Sequence, residues 1–290
     1  MNRLRLADRV RLLGCLSEGL GVRPTARVIG CSINTVQKMI VDAGLACQAI
    51  HDTYVRGLPC RKIQADEMWA FCYARKKNLP KNLRGVWGYG DVWLWSTICE
   101  TTKIVPAYCY APRNAQGAIR LMNDLAPRLK NRIELNTDGF SAYWEGTWVA
   151  FKTEIDYAKI IKVYETPNGR WNANENRYQQ PDVIAVRREK VCGNPTVSDA
   201  STSYIERLNL GTRMHNKKMS RLTNGHAKKL AMLEHSTAIQ FCHYNFIRPH
   251  AALDRGTTPA MACGIADRPW TWEDVLAVVD DGSNGPGEAN

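Results

Sequence analysis

The sequence predicts an α/β protein in which an all-helical region precedes a larger domain of alternating strands and helices. Apolar residues recur at helical spacing up to residue 43, and segments rich in β-branched and aromatic residues follow from residue 62. The 290 residues also exceed the usual size of one domain, about 100 to 200 residues. We therefore expect a helical domain at 1–50, a linker at 51–61, a second domain at 62–265 and a C-terminal segment at 266–290.

The net charge is strongly positive and unevenly distributed. The chain has 39 Lys and Arg against 28 Asp and Glu, a formal net charge of +11. Residues 1–62 hold ten basic and four acidic residues, and residues 207–229 hold seven basic and no acidic residue. Two separate basic segments favour contacts with a long polyanion, for which nucleic acid is the leading candidate. On charge alone, a basic enzyme without such a partner is the alternative.

Compartment and redox state follow from what the sequence lacks. No apolar run approaches the roughly 20 residues of a membrane helix, and the basic start has no continuous apolar segment of a signal peptide. The ten cysteines never form a C-x-x-C pair, which favours reduced thiols over a disulfide framework. We expect a cytoplasmic, nucleoid-associated protein with no membrane partner.

Three helices are expected in the amino-terminal region. The first covers residues 4–16, the second begins near Pro24, and the third runs over 33–43 with Gly44 as its stop. Residues 46–61 have no clear periodicity. This is the basis for the predicted linker.

The second and third helices have the pattern of a DNA-reading helix-turn-helix. That motif needs a small residue, a tight turn and a buried branched residue, which Ala26, Gly30 and Val36 supply. Arg27 is an expected phosphate contact. The residues expected in the major groove are Asn34, Thr35, Gln37 and Lys38. A three-helix bundle with an incidental polar face is the alternative.

The second domain is expected to contain both strands and helices. Strands are predicted at 62–71, 92–99, 104–110, 133–137 and 157–164, and helices at 116–129, 203–218 and 226–243. A surface insertion around 165–200 follows from its density of Asn, Gly, Gln and Pro. The tail from Asp280 is expected to be disordered.

Three acids stand where a metal site could form. Asp66 lies within the first strand, Asp138 ends the strand at 133–137, and Glu206 opens a late helix. Three carboxylates can hold two Mg²⁺ ions about 3.5 to 4 Å apart, as two-metal polynucleotidyl transfer requires. The alternatives are a solvent-facing strand residue for Asp66, a turn aspartate for Asp138 and a solvated helix face for Glu206. Glu67 is a rival ligand, but a regular strand points it to the opposite face.

Basic residues follow Glu206 on the same predicted helix. Arg213 and Lys217 lie seven and eleven residues on, within ~40° of its face. We expect them to face scissile phosphates, with Lys218 and Arg221 extending the DNA contact. A solvated amphipathic helix is the alternative.

Tryptophans are concentrated in the second domain. We interpret them as core residues rather than base-stacking platforms. The residues are Trp69, Trp87, Trp93, Trp95 and Trp144.

Together these features resemble the DDE transposases of bacterial insertion sequences, most closely the insertion sequence one family. The resemblance rests on five ordered motifs, which are ADEMW at 65–69, TDGFSAY at 137–143, SYIERLNL at 203–210, SRLTN at 220–224 and HYNFIRPH at 243–250. It implies a ribonuclease-H-like catalytic domain, a mixed sheet flanked by helices, with Asp66, Asp138 and Glu206 as the metal-binding triad. Some relatives carry a cysteine-rich zinc module, which this sequence lacks, so no structural zinc is expected.

The resemblance also implies an activity. Two Mg²⁺ ions, for which Mn²⁺ can substitute, would support cleavage that frees a 3′ hydroxyl and then attack by that hydroxyl on target DNA. The implied partners are double-stranded DNA, as element ends and as target, and further copies of the chain bound to DNA. A helix-turn-helix regulator without catalysis and a stand-alone ribonuclease-H-like nuclease are the alternatives. The regulator would not need the three acids, and the nuclease would not need the amino-terminal reader.

Overall fold

A six-stranded mixed sheet forms the centre of the protein, in a computed structural model that describes residues 4–165 and 182–281. The strands are β1 (Lys62–Cys72), β2 (Gly90–Cys99), β3 (Tyr108–Ala111), β4 (Ile133–Asp138), β5 (Ile155–Tyr164) and β6 (Val183–Cys192). Their order is β3-β2-β1-β4-β5-β6. Strands β1, β4 and β5 are parallel, and the other neighbours pair antiparallel. The predicted α/β class with a mixed sheet is confirmed.

Helices cover both faces of the sheet. They are α1 (Leu6–Ser17), α2 (Val22–Ile29), α3 (Ile33–Tyr54), α4 (Ala115–Leu125), α5 (Ala142–Phe151), α6 (Ser203–His215), α7 (Leu230–Cys242), α8 (Pro259–Ala262) and α9 (Trp272–Asp281). Consecutive residues of β2 point to opposite helical layers. Trp95 packs with Tyr143 of α5, whereas Leu94 packs with Leu208 of α6. None of the described helices is both long and apolar enough to cross a membrane.

Helix α3 is longer than predicted. It continues to Tyr54 instead of ending at Ala43, and so takes in residues 51–54 of the expected linker. Gly44 is not a helix stop. It lies where α3 crosses α7, and a Cβ atom there would come within 2.4 Å of the Cβ of His235. The glycine is therefore explained by close helix packing.

The end of α3 is tied to the sheet domain. The buried guanidinium of Arg128 donates from Nη1 to the carbonyls of His51 and Val55, at 3.2 Å each. Its Nη2 forms an ion pair with Asp52 at 2.5 Å. Apolar residues of α1 and α3 also belong to the same buried cluster as residues of α7 and α9. The amino-terminal helices thus share a hydrophobic core with the rest of the chain.

Replacement of Gly44 by alanine should destabilise the protein. The added methyl group would overlap both the backbone and the side chain of His235, and overpacking of this kind costs about 1–3 kcal/mol. Gly14 of α1 is a matched control, because nothing lies within 4 Å of its added Cβ. Gly14→Ala should stabilise by about 0.5–1 kcal/mol through helix propensity. Denaturant unfolding measures both, and a stabilising Gly44→Ala would contradict the packing account.

Strand β6 lies within the segment at 165–200 that was predicted as a surface insertion. It pairs antiparallel with β5 over most of its length, and its residues from Val183 to Lys190 are exposed. An edge strand pairs its backbone with one neighbour only, and without a buried face it has no reason to alternate polar and apolar residues. The Asn- and Gly-rich stretch at 167–181 lies outside the described residues.

The C-terminal segment includes helix α9. Asp280, predicted as the start of a disordered tail, belongs to this helix and accepts two hydrogen bonds from the buried Arg9, at 2.7 and 2.9 Å. The pair joins α9 to α1. The rest of that predicted tail, residues 282–290, lies outside the described residues.

Candidate catalytic site

Asp66 and Asp138 lie next to each other where β4 ends. The parallel pairing of β1 with β4 ends at Ala65 and Thr137. Asp66 and Asp138 are the next residues along these two strands. One carboxylate oxygen from each, with one from Glu67, forms a group in which all atoms lie within 4.8 Å of one another. Two acids that are 72 residues apart in sequence are therefore neighbours in space.

Glu67 belongs to this group although its side chain is on the other side of the strand. Its carboxylate is buried and faces the α4–α5 layer, as strand alternation predicts. Arg113 donates to its Oε1 at 2.7 Å, and the hydroxyl of Tyr143 donates to its Oε2 at 3.0 Å. Strand alternation predicts that Glu67 lies away from Asp66, but an oxygen of each carboxylate lies within 4.8 Å of the other.

Helix α6 is locked to β1 by two amide side chains. Oε1 of the buried Gln64 accepts hydrogen bonds from the backbone N–H groups of Tyr204 and Ile205, at 2.9 and 3.1 Å. One turn further along the helix, Asn209 donates to Oδ2 of Asp66 at 2.7 Å. These contacts fix the position of α6 relative to the acid group.

Glu206 lies on α6 but outside the group of three acids. Its Oε1 accepts from the hydroxyl of Thr202 at 2.6 Å and from the ammonium of Lys162 on β5. The side chain is 47% exposed. The negative charge of Glu206 still contributes to the potential at Asp66. Glu206 is thus near the other acids and is held by a cation.

Crowding of negative charge perturbs the group. Burial, followed by the charges of Glu67 and Asp138, raises the pKa of Asp66 to about 7. Burial and the charge of Asp138 also raise the pKa of Glu67, against the opposing effect of Arg113. A divalent cation would relieve this repulsion.

The donor set fits a hard divalent cation. Carboxylate oxygens are the ligands that Mg²⁺ prefers. Two buried polar atoms on α6, Oδ1 of Asn209 and Nη1 of Arg213, have no hydrogen-bond partner within the described parts of the chain. Such atoms are rare unless a ligand or water satisfies them. The free acceptor of Asn209 suits a hydrated cation, and the free donor of Arg213 suits a phosphate.

Substitution of Asp66 by asparagine should stabilise the metal-free protein. The amide oxygen can still accept the bond from Asn209, and the charge is removed. Because the pKa of Asp66 rises from 3.8 to about 7 on folding, its ionisation opposes folding fully above pH 7 and less as the pH falls. Denaturant unfolding in EDTA should show a gain of up to ~4 kcal/mol at about pH 8 and ~1–2 kcal/mol at about pH 5. The exposed control Asp254→Asn should show no such gain in stability. An equal gain for Asp66→Asn at both pH values would contradict the raised pKa of Asp66 as its cause.

Of the predicted basic residues after Glu206, Arg213 is under the electrostatic influence of Asp66. Its Nη2 donates to the carbonyl of Trp69 at 3.3 Å, and burial lowers its pKa to about 10. Lys217 does not share the helical stripe of Glu206, because α6 ends at His215. The buried Asn216 ends the helix by accepting from the backbone N–H of Lys218 at 3.0 Å.

Lys218 and Arg221, the other two predicted cations of this segment, lie near further basic residues. Lys218 is half-buried, and burial together with the charge of Lys228 lowers its pKa. Arg221 is exposed, and its carbonyl accepts a hydrogen bond from Arg75 at 3.0 Å. The charge of Arg221 also lowers the pKa of Arg213, so this cluster lies close to the arginine of α6.

Helices α2 and α3 meet at a tight turn. Gly30 has a φ of +74°, and Ser32 caps α3 by accepting from the backbone N–H of Thr35 at 3.1 Å. Ala26 and Val36 are buried as the pattern requires. Thr35 also shares a hydroxyl hydrogen bond with Ser32.

The side chains predicted to read DNA differ in their availability. Arg27, Asn34 and Gln37 are exposed. Lys38 is exposed too, but it forms an ion pair with Asp42 at 2.5 Å. A phosphate would therefore compete with Asp42 for Lys38.

The tryptophans do not all belong to the core. Trp95 is fully buried, and Trp69 and Trp93 are partly buried. Trp87 and Trp144 are 44% and 41% exposed, so the core interpretation is wrong for these two. Trp87 lies in the long β1–β2 connection, which has no helical or strand periodicity to indicate its exposure.

Several residues around the acids were not identified from the sequence. Gln64 lies two residues before Asp66 on the same strand face, and Asn209 lies three residues after Glu206 on one helix face. These spacings could have indicated that Gln64 and Asn209 lie beside the acids. Arg113 and Tyr143 gave no local signal, because only the tertiary structure brings them to Glu67.

Comparisons with known proteins give little. No family model matches the sequence, and no curated protein matches it. The crystal structure of the Mos1 strand transfer complex aligns at 12% identity over 83% of this chain and 78% of that chain, with a TM-score of 0.23. A pre-cleavage Mos1 transpososome aligns at 10% identity with the same coverage and a TM-score of 0.21.

Proposed function

We propose that this protein is a DNA transposase of the DDE type, which cleaves a strand at the end of a mobile element and joins the freed 3′ hydroxyl to target DNA. The observation that carries the proposal is the acid group at the end of β4, beside a helix that bears a third acid and a half-buried arginine. The strand order, with β1, β4 and β5 parallel, is consistent with a ribonuclease-H-like fold. The acid group favours an enzyme over a regulator without catalysis.

We assign Asp66, Asp138 and Glu206 as the metal ligands. When bound, two Mg²⁺ or Mn²⁺ ions would supply an activated oxygen nucleophile and stabilisation of the leaving oxygen. Asn209 orients the carboxylate of Asp66 by its hydrogen bond. Lys162 now neutralises Glu206, and a metal ion would take over that role.

Arg213 completes the proposed site on the substrate side. Its Nη1 has no hydrogen-bond partner among the described residues, and it would donate to a non-bridging phosphate oxygen. Its other terminal nitrogen is held by the carbonyl of Trp69, so the guanidinium is already oriented. Arg213 therefore binds and positions the phosphate, while the acids hold the metal.

The amino-terminal helices are the proposed reader of element ends. Asn34 and Gln37 project from the first turns of α3, where amide side chains can pair with adenine. Thr35 and Lys38 lie on the same turns, and Arg27 on α2 is a proposed phosphate contact. We also propose that copies of the chain assemble on the paired ends.

Substitutions in α2 and α3 should separate base reading from phosphate binding. In the full chain, Gln37→Ala should reduce discrimination between element-end and random duplexes by ~1–3 kcal/mol, whereas Arg27→Ala should weaken both alike. Competition binding on the two duplexes measures this. Equal effects of the two variants would refute the reader role of α3.

Strand cleavage tests the proposed function. Duplexes that carry the DNA flanking the coding sequence are incubated with the full chain and Mg²⁺, and the products are mapped to the nucleotide. We expect nicks at fixed positions that leave 3′ hydroxyls, followed by joining to an added plasmid. Cleavage without joining would indicate a nuclease, and binding without Mg²⁺-dependent cleavage would indicate a regulator.

A further inference from the structure

The connection between β1 and β2 is a basic loop with exposed aromatic residues. Residues 73–89, here called the basic loop, contain five Lys and Arg and no Asp or Glu. Three of its aromatic side chains are exposed, Tyr73 at 45%, Trp87 at 44% and Tyr89 at 37%. A surface that combines cations with exposed rings is typical of proteins that bind single-stranded nucleic acid.

The basic loop has a fixed shape that does not depend on these side chains. Leu79 is buried against Gly90, where a Cβ atom would lie 2.8 Å from its Cδ1. Gly88 approaches Leu230 at the start of α7. The backbone N–H of Tyr73 donates to the carbonyl of Ala227 at 2.9 Å. Anchored in this way, the loop presents Trp87 and its cations outward.

The basic loop also joins the second basic segment of the sequence. Arg75 donates to the carbonyl of Arg221 at 3.0 Å, and Arg84 donates to the carbonyl of Leu79 at 3.2 Å. His226 contacts the carbonyl of Tyr73 at 3.1 Å. Arg75 and Arg84 are thus bonded to carbonyl groups rather than to carboxylates, and they keep their charge for an external anion.

Strand β1 connects the acid group with the basic loop. Trp69 and Phe71 follow Asp66 on β1, and the guanidinium of Arg75 lies 5.9 and 5.8 Å from their rings. Arg213 contacts Trp69 from the side of the acids. At about 3.3 Å per residue, the path from Asp66 to Tyr73 is roughly 20–25 Å long, which is short enough for one DNA strand to reach both.

We propose that the basic loop binds single-stranded DNA that leaves the catalytic site, with Trp87 stacking on an unpaired base and the loop cations contacting the phosphates. A single strand is the better ligand than a duplex, because paired bases are stacked on one another and offer no free face to a ring. The choice of DNA, and of a strand at the site, rests on the proposed function. The binding test does not require catalysis.

Binding of fluorescent oligothymidylate by the full chain in EDTA tests the proposal, with a random duplex of equal length as comparison. Trp87→Ala should weaken single-strand binding by about tenfold or more and duplex binding by less than about twofold. Trp87→Phe should retain most of the affinity. Trp148→Ala, which removes a 51% exposed tryptophan of α5, is the matched control and should change neither. Unaltered thermal unfolding of the three variants would show that these substitutions at exposed positions leave the fold intact.

A second variant tests the cations. The triple substitution Lys76→Gln, Lys77→Gln and Lys81→Gln should weaken single-strand binding and reduce its salt slope by up to about 2 units, at ~0.7 per lost contact. The proposal is overturned if Trp87→Ala leaves single-strand binding unchanged, if it weakens the duplex equally, or if the wild-type chain does not bind the single strand.

The two proposals can fail separately. A Trp87 effect in a chain that never cleaves DNA would overturn the proposed function and support the loop. Mg²⁺-dependent cleavage without a Trp87 effect would do the opposite.

Discussion

Alanine at Asp66 or Asp138 is expected to abolish Mg²⁺-dependent strand cleavage while leaving DNA binding largely unchanged. Each substitution removes a carboxylate from a group whose oxygens lie within 4.8 Å of one another, and the remaining ligands cannot hold the metal in place. Product formation from element-end duplexes measures cleavage, and anisotropy in EDTA measures binding. Wild-type cleavage by either variant would remove that residue from the site.

Glu206→Ala and Glu67→Gln make this test sharper. Glu206 is held by Lys162 outside the group, so loss of cleavage in Glu206→Ala would show that it acts in the loaded site. Glu67 already accepts hydrogen bonds at both oxygens from Arg113 and Tyr143, so Glu67→Gln should reduce cleavage only partly. Complete loss in Glu67→Gln together with activity in Glu206→Ala would transfer the third ligand to Glu67.

Arg213→Gln should lower the rate of cleavage by about 10- to 150-fold, the equivalent of one charge-assisted hydrogen bond to phosphate. It should also reduce the salt slope of DNA binding by ~0.9, because one fewer counterion is released. The physical reason is the half-buried guanidinium of Arg213, which is under the electrostatic influence of Asp66 and whose Nη1 has no partner among the described residues. Single-turnover cleavage and salt titrations measure the two effects.

Lys217→Gln is the matched control for this arginine. Lys217 lies beyond the end of α6, so its substitution should change the salt slope by at most the same amount and leave the cleavage rate of bound DNA unaltered. Equal losses of cleavage in both variants would contradict the separate placement of the two cations. An unchanged salt slope in the double variant would mean that neither contacts phosphate.

The sequence predicted the sheet well where strands are buried and regular. The strand at 62–71 corresponds to β1, and the one at 133–137 corresponds to β4, because both have apolar residues packed between two helical layers. Strand β3 begins at Tyr108, later than predicted. Pro106 explains the difference, since proline cannot donate a backbone hydrogen bond to a neighbouring strand.

Long-range contacts account for what the sequence did not predict. Gly44 has the local appearance of a helix stop, and only the crossing of α3 with α7 shows why a glycine is needed there. Glu67 points away from Asp66 along an ideal strand, yet Arg113 and Tyr143 hold its carboxylate close to the other acids. These are properties of packing between distant segments, which periodicity does not contain.

Metal binding by the isolated protein tests the central claim, that Asp66 and Asp138 share a divalent cation. Equilibrium binding of Mn²⁺, followed by its electron paramagnetic resonance signal, requires neither DNA nor a known element end. The account predicts that wild type and the exposed control Asp254→Asn bind Mn²⁺ alike, and that the double variant Asp66→Asn, Asp138→Asn loses this binding. Equal Mn²⁺ affinity in wild type and in that double variant would contradict it.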